Sequence, residues 1–511
     1  MARRQTERLL QGLPKDVFFA AMERQQVSLT YDDVRLRSGE SNLMPAEVDL
    51  ETRFSRNVPL RIPIVSAAMD TVTEDTLAIA LAQLGGLGII HRGLSAEEQA
   101  SQVVRVKYHL NGRIEKPICV QETDPIEQIL MRRDERRFRF HTFPVLNGEG
   151  KLTGILTEND FDFCEDTKLL AREVMTRDPI TVSSADGLTV QTAYDKMMEL
   201  KKKVLPVIDE LGIVVGLYIF SDVKARVKGS TAGYNLDNRG QLRVGAAIGT
   251  SPSDLERAQR LVEKNVDVLV IDTAHGDSAP VYSMLRELKR IYESVDIVVG
   301  NVSEPQSARR LLNAGADGIK VGQGPGSICT TRIVAGIGCP QVTAIYECSK
   351  ALRGSDVPIC ADGGLKHPGD IPIALGAGAY SVMMGSMLAA THEAPGEIIH
   401  HEGRQWKGYR GMGSEGAMKD SAASRERYRQ AEGKTLVPEG VEAMVPYKGP
   451  LAPVIAQYIG GLRAGMGYVG AANIDELQRI ANFRRLTGAG IAESHVHDVT
   501  MIKEPANYKK R

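Results

Sequence analysis

Val266–Gly276 reads VDVLVIDTAHG. This is an apolar run of strand length that stops on aspartate, threonine and histidine, with a glycine behind them. A run without alternation belongs to a strand covered on both faces, as in a parallel sheet packed under helices. The same pattern recurs on either side. Upstream lie IPIVSAAMD (Ile62–Asp70), GLGIIHRG (Gly86–Gly93) and LRVGAAIG (Leu242–Gly249). Downstream lie VDIVVGNV (Val295–Val302), ADGIKVGQG (Ala316–Gly324), VPICADGG (Val357–Gly364) and AYSVMMGS (Ala379–Ser386). Amphipathic stretches such as SPSDLERAQRLVEKN and SEPQSARRLLNAG separate them, the first with a Ser/Asp start and the second with a Gly stop. These units predict an α/β protein with a closed (β/α)8 TIM barrel, whose functional groups sit on the loops after the strands. A doubly wound open sheet is the weaker alternative, because no GxGxxG fingerprint opens a helix after an early strand.

The pattern breaks between the second and third runs. Pro117, Pro144, Gly154 and Asp160 recur as Pro179, Pro206, Gly216 and Asp222, each 62 residues further on. Each copy reads strand, helix, strand, turn, strand. Neither copy is large enough to bury a core alone, so the two are expected to pack together as an inserted α+β domain. The predicted plan is an N-terminal extension over 1–28, barrel over 29–110, the insert over 111–229 and barrel again over 230–511. The segment 409–449 is long, polar and poorly periodic, which in a compact barrel suggests a mobile functional flap.

Composition narrows the class. The 511 residues are 42 % hydrophobic and 25 % charged, with a net charge of −1, ordinary for a globular protein and without a bias toward nucleic acid or membrane surfaces. No segment approaches the ~20 apolar residues of a membrane span. The N-terminus lacks a secretory h-region. Six cysteines, none in a CxxC pair, predict reduced thiols in a cytoplasmic protein.

The chemistry concentrates in KVGQGPGSICTTR, Lys320–Arg332. Glycine-rich backbone approaches a ligand closely and offers its amides to an anion. A thiol beside such a loop is either small core filler or a nucleophile next to a bound substrate. The remaining cysteines (Cys119, Cys164, Cys339, Cys348 and Cys360) belong to no motif and read as structural thiols.

GPGSICTTR, together with VSAAMDTVTE, VIDTAHGDS, ADGG, MMGS, YRGMGS, RERY and VPEGVEAMVPYKG, resembles the inosine-5′-monophosphate (IMP) dehydrogenase family from Leu29 to the C-terminus. The inserted repeat is similar to the tandem CBS modules of that family. The resemblance implies oxidation of IMP to XMP with NAD, through attack of Cys329 on carbon 2 of the base. Thr331 would position the hydrolytic water, and Arg427, paired with Tyr428, would act as the general base. The family's IMP contacts fall on Ser327, Asp362, Gly363, Gly364, Gly385, Ser386, Tyr409, Met412, Gly413 and Glu439. Those of the dinucleotide fall on Asp272, His275, Asn301, Gly322 and Gly324. A monovalent cation, usually potassium, is implied at the carbonyls of Gly324, Gly326 and Cys329, with Glu493, Ser494 and His495 from a neighbouring subunit. A homotetramer or an octamer follows. In the insert, Thr157, Asp160 and Asp222 would serve adenine or guanine nucleotides, and Ile219 replaces the second copy's threonine.

Two other readings remain open at this point. GMP reductase shares the barrel, the cysteine loop and the phosphate residues, deaminates GMP with NADPH, and typically lacks the Arg-Tyr pair. EGKT at Glu432–Thr435 leans toward it. A sensor that binds purine nucleotides without turnover would need none of Cys329, Thr331 and Arg427.

Overall fold

The computed structural model describes residues 13–110, 113–114, 117–135, 140–186, 189–228, 231–430, 435–502 and 507–508. The chain forms two compact units. The first comprises Met1–Lys107, Gly233–Asp237 and Leu242–Arg511, and the second Tyr108–Ala232 and Asn238–Gln241.

The first unit is a closed barrel of eight strands. These are β1 (Ile64–Ser66), β2 (Leu87–Ile90), β3 (Val244–Ile248), β4 (Val268–Asp272), β5 (Asp296–Val302), β6 (Gly318–Val321), β7 (Ile359–Asp362) and β8 (Ser381–Met384). All neighbours are parallel, and β8 pairs with β1 to close the ring, Val382 opposite Ile64 and Met384 opposite Ser66. Every apolar run quoted above contains one of these strands. Alternate residues fill the interior: Leu87 and Ile89 from β2, Val268 and Val270 from β4, with Val65, Val298, Cys360 and Met383. Helix α1 (Pro14–Arg24) precedes the barrel, and the other half of the strand residues faces helices such as α2 (Asp75–Gln83), α3 (Ala96–Tyr108) and α4 (Pro252–Glu263). Gly88 is required by one such contact. A Cβ there would lie 2.5 Å from Cα of Ala78, so α2 reaches β2 only over a glycine.

The N-terminal extension, whose role the sequence leaves undecided, packs on the barrel through α1. Phe19 stacks on Tyr346 with centroids 3.9 Å apart and meets Phe483 edge-on, and Asp16 binds Arg353 and the Tyr346 hydroxyl. Residues 1–12 lie outside the described residues.

Beyond β8 the chain forms an antiparallel sheet of β9 (Ile398–His401), β10 (Arg404–Arg410) and β11 (Glu442–Pro446). The segment 409–449 therefore begins and ends in paired strands and carries two short helices, Glu415–Asp420 and α5 (Ala422–Arg427). Low periodicity here reflects short elements. Residues 431–434 of this segment, most of EGKT, lie outside the described residues.

In the second unit the two sequence copies build two four-stranded sheets. Each has a parallel pair and an antiparallel hairpin: Val120–Gln121, Phe143–Leu146 and Leu152–Leu156 in one, Val182–Ser183, Val204–Ile208 and Val214–Ile219 in the other. The fourth strand is exchanged. Thr176–Arg177, which leads into the second copy, pairs with Leu152–Leu156 of the first, while Arg113–Ile114 pairs with Val214–Ile219 of the second. Each copy thus leaves a hairpin edge that the other covers, which is why they occur as a pair.

Candidate active site

The loop after β6 brings Cys329 to the C-terminal face of the barrel. Gly322 and Gly324 have φ of 151° and 75°, values that side-chain-bearing residues rarely adopt, and they fold the chain back over the strand end. The amide of Cys329 donates to the carbonyl of Gly326 at 3.1 Å, and its Sγ lies 3.2 Å from Oγ1 of Thr331. The thiol is half-buried and next to a hydroxyl. Arg332 braces the loop from outside, donating from Nε to the carbonyl of Gln323 at 3.0 Å and from Nη2 to that of Cys339.

The segment 409–449 closes over this loop by main-chain bonds. Thr330 donates to the carbonyl of Glu439 at 2.9 Å, and Val441 donates to that of Ile328 at 3.0 Å. On the other edge Glu439 donates to Gly413, and Gly411 to Val441, both at 3.0 Å. Met412, Gly413 and Glu439 are thereby brought beside Cys329. Tyr428 presses its ring on Gly413, where a Cβ would lie 2.6 Å from the ring.

The turns after β7 and β8 converge on the same loop. A Cβ on Gly363 or Gly364 would contact Pro325, at 3.3 and 3.2 Å respectively. Tyr409, the last residue but one of β10, puts its hydroxyl where a Cβ on Gly385 would come within 2.6 Å. Burial pushes its pKa well up and the Asp362 charge adds to this, while bonds to Ser327 and the backbone of Ser386 oppose. Ser327, Gly363, Gly364, Gly385, Ser386 and Tyr409 therefore line one cradle of hydroxyls and turn amides.

Behind it lies a buried polar network at the ends of β4 to β7. Lys320 Nζ is 2.6 Å from Oδ2 of Asp362 and 2.9 Å from Oδ1 of Asp272, and it also binds Oδ1 of Asn301. Asn301 Nδ2 donates to Asp362 at 2.9 Å and to the carbonyl of Gly322 at 2.6 Å. Lys320 is absent from the sequence-based site because, inside GIKVG, it reads as an ordinary strand residue. Its partners give it away: two carboxylates aimed into one barrel end require a cation.

Asp272 carries a second partner. Arg427, at the end of α5, binds Oδ2 of Asp272 through Nη1, and its carbonyl accepts from the amide of Ala274 at 3.3 Å. Burial holds Arg427 below the ordinary arginine range and the nearby Arg92 charge acts the same way, while Tyr428 favours the cation. Burial raises Tyr428, and Arg427 opposes that shift.

Other expected residues stand apart. His275 is exposed at the rim, its Nδ1 3.3 Å from Gln323 Nε2. Glu493 and Ser494 are exposed at the end of a C-terminal helix, Gly488–Ser494, and the His495 ring packs against His367 at 5.8 Å. Among the described residues no group of three His, Cys, Asp or Glu side chains could hold a metal ion, and no helix is long and apolar enough to cross a membrane. Of the three residues expected to offer carbonyls to a monovalent cation, Gly324 has a left-handed φ of 75°, and Gly326 accepts from the amide of Cys329. In the second unit, Thr157 donates from its amide and its hydroxyl to Oδ2 of Asp160, both at 2.7 Å. The equivalent Ile219 has no hydroxyl to give. Asp222, raised by burial, takes the Ser221 hydroxyl at 2.9 Å.

The sequence profile of the IMP dehydrogenase / GMP reductase domain matches residues 28–497. The chain belongs to the IMP dehydrogenase/GMP reductase family. It is 48 % identical over 482 residues to the inosine-5′-monophosphate dehydrogenase of Aquifex aeolicus, covering 94 % of this chain and 97 % of that one. It is 44 % identical over 483 residues to the enzyme of the same name from Bacillus subtilis, with 94 % and 97 % covered. Among solved structures it resembles a GMP reductase of Trypanosoma brucei in complex with guanosine 5′-monophosphate, with a TM-score of 0.81 and 40 % identity over 93 % of this chain and 98 % of that one. Members of this family with either printed activity are thus similar to the chain along nearly its whole length. The barrel alone does not separate them, and the difference must be sought in the segment over Cys329.

Proposed function

We propose that the chain oxidises IMP to XMP with NAD through a covalent adduct on Cys329, the committed step of guanine nucleotide synthesis. The observation that carries this reading is Arg427 on Asp272, with Tyr428 against Gly413 and the same segment hydrogen-bonded to the Cys329 loop. A reaction that ends by hydrolysing an enzyme adduct needs a base delivered over the thiol, and this segment delivers one. Curated dehydrogenase relatives at 44 to 48 % identity support the same side.

The phosphate of IMP is held by Ser327, Gly363, Gly364, Gly385, Ser386 and Tyr409, and its ribose by Asp362. Met412, Gly413 and Glu439 meet the base. Cys329 adds to carbon 2, and the hydride that leaves that carbon yields a thioimidate. NAD, when bound, would supply the hydride acceptor, and Asp272, His275, Asn301, Gly322 and Gly324 would hold it. Oδ1 of Asp272 faces Lys320 Nζ at 2.9 Å, and a ribose hydroxyl would share the carboxylate with that cation. Arg427 occupies the same carboxylate, so segment and dinucleotide take turns there, and 409–449 acts as a mobile flap. Water positioned by Thr331 then gives a proton to Arg427 and its oxygen to carbon 2, and the Cys329 thiolate leaves with XMP released. Arginine is a weak base in water; burial lowers its affinity for the proton in the direction this step needs, while Tyr428 and the Asp272 carboxylate favour the cation.

A potassium ion on the carbonyls of Gly324, Gly326 and Cys329, completed by Glu493, Ser494 and His495 of a second copy in a homotetramer or octamer, would fix the loop's shape. The second unit is read as a tandem CBS pair in which Thr157, Asp160 and Asp222 take purine nucleotides and regulate the enzyme. The protein is assigned to the cytoplasm.

The second reading is GMP reduction, favoured by the solved neighbour. Mixing protein, IMP, NAD and potassium while following nicotinamide absorbance, with GMP and NADPH in parallel, separates the two. Reduced cofactor and XMP are expected. NADPH consumed with GMP and nothing with IMP would replace the proposal by the reductase, and no turnover in either assay would leave a sensor.

A further inference from the structure

Arg92 lies two residues beyond the end of β2, and its side chain is only 6 % exposed. Its Nη1 lies 2.9 Å from Oε2 of Glu426 and 3.8 Å from Oδ2 of Asp254. Glu426 immediately precedes Arg427. Its other oxygen, Oε1, accepts from the amide of Thr250 at 3.1 Å, in the loop after β3. Asp254 is fixed independently of the flap: it accepts from the amide and hydroxyl of Ser251 at 3.2 and 2.6 Å, and Arg257 stands 3.5 Å away. Gly249, at the end of β3, makes the arrangement possible. A Cβ there would lie 2.2 Å from Arg92 Nη1 and 2.5 Å from Asp254 Oδ2.

We propose that Arg92 is a positioning residue, one half of a latch whose other half is Glu426, and that it seats Arg427 on Asp272. On the barrel side, Arg92 and Arg257 flank Asp254, a group of net positive charge. The arriving segment contributes one carboxylate, which bridges Arg92 and the Thr250 amide and so spans the ends of β2 and β3. One residue later the guanidinium of Arg427 reaches the end of β4. Charge-assisted bonds are short and directional, so the latch sets register as well as adding affinity. The expectation for catalysis rests on the hydrolytic role proposed for Arg427; the latch itself does not.

The test is amide exchange on the full-length protein combined with transient kinetics. Arg92→Gln should speed exchange over Ala422–Tyr428 by about tenfold, the loss of one charge-assisted bond. Glu426→Gln should do the same, and the double variant should be no worse than the more affected single. Arg92→Lys should restore protection only in part, because it keeps the charge and loses the planar fork. With IMP and NAD, kcat should fall while the first burst of reduced nicotinamide and the KM for IMP stay near wild type. Unchanged exchange with a raised KM for the dinucleotide would overturn the latch and make Arg92 a cofactor contact. Should IMP oxidation itself be absent, the proposed activity fails while the exchange data still decide the latch. Should Arg92→Gln not fold, the part-exposed Glu426 carries the same test.

Discussion

The polar groups on the barrel's strand ends and those of the inserted unit are bonded over very different distances along the chain. Arg92 reaches a partner 334 residues away, and Lys320 joins Asp362 42 residues on. Asp160, in the insert, binds Thr157 three residues back, and Asp222 binds its neighbour Ser221. The barrel groups therefore exist as a network only in the folded state. They are oriented before a ligand arrives, a condition for electrostatic catalysis. The insert's carboxylates are satisfied by their own helix starts and must exchange those bonds if they are to hold a nucleotide. One region holds its polar groups by long-range contacts, the other by local ones.

The largest expected break on the barrel side is Cys329→Ala. Turnover should fall by more than about a thousandfold, as for loss of a nucleophile, with IMP affinity by titration calorimetry little changed. Retained turnover would remove Cys329 from the mechanism. Next comes Lys320→Met, which leaves two buried carboxylates facing each other. It should cost about 3 kcal/mol of stability, read by denaturant titration, and lower kcat/KM by about a hundredfold or more. A near-wild-type result would mean that the network is not the scaffold of the site.

Lys15 tests the long-range style at the chain's other end. Its Nζ donates to the carbonyl of Gly376 at 3.1 Å, and burial brings its pKa from 10.5 down to about 8. Below pH 8 the folded state carries a buried charge that the unfolded chain solvates freely. As pH rises through the folded pKa toward the unfolded one, that penalty is relieved. Stability of wild type relative to Lys15→Met should therefore improve by about 2 kcal/mol between pH 7 and pH 10, measured by urea unfolding at each pH. A flat difference would contradict the assignment.

The smallest effect belongs to the insert. Asp160→Ala should weaken the helix start at Thr157 by about 1 kcal/mol, seen as faster amide exchange over Glu158–Asp162. An effect reaching into the barrel would blur the contrast drawn above.

The barrel could be read from the chain because its strands are uninterrupted apolar runs ended by polar residues, and that signal is local. Asp272, Asp362 and the glycine turns were legible because they sit where the runs stop, whereas Cys329, eight residues beyond β6, was read from the resemblance of its motif. Lys320 was hidden inside such a run. Arg92 was hidden because HRG says nothing of a partner hundreds of residues away. The exchange of edge strands between the two inserted copies was equally invisible. Thr176–Arg177 and Arg113–Ile114 are two-residue strands whose pairing is set by which hairpin edge is free, and periodicity carries no record of that.

In the proposed cycle one segment delivers Arg427 to Asp272 after the hydride has left, to complete a reaction begun by Cys329. Stopped-flow absorbance of Arg427→Ala mixed with IMP and NAD tests it most directly. A burst of reduced nicotinamide of wild-type size and rate is expected, followed by turnover slowed about a hundredfold or more, as for removal of a general base. Loss of the burst together with turnover, or turnover at the wild-type rate, would contradict it.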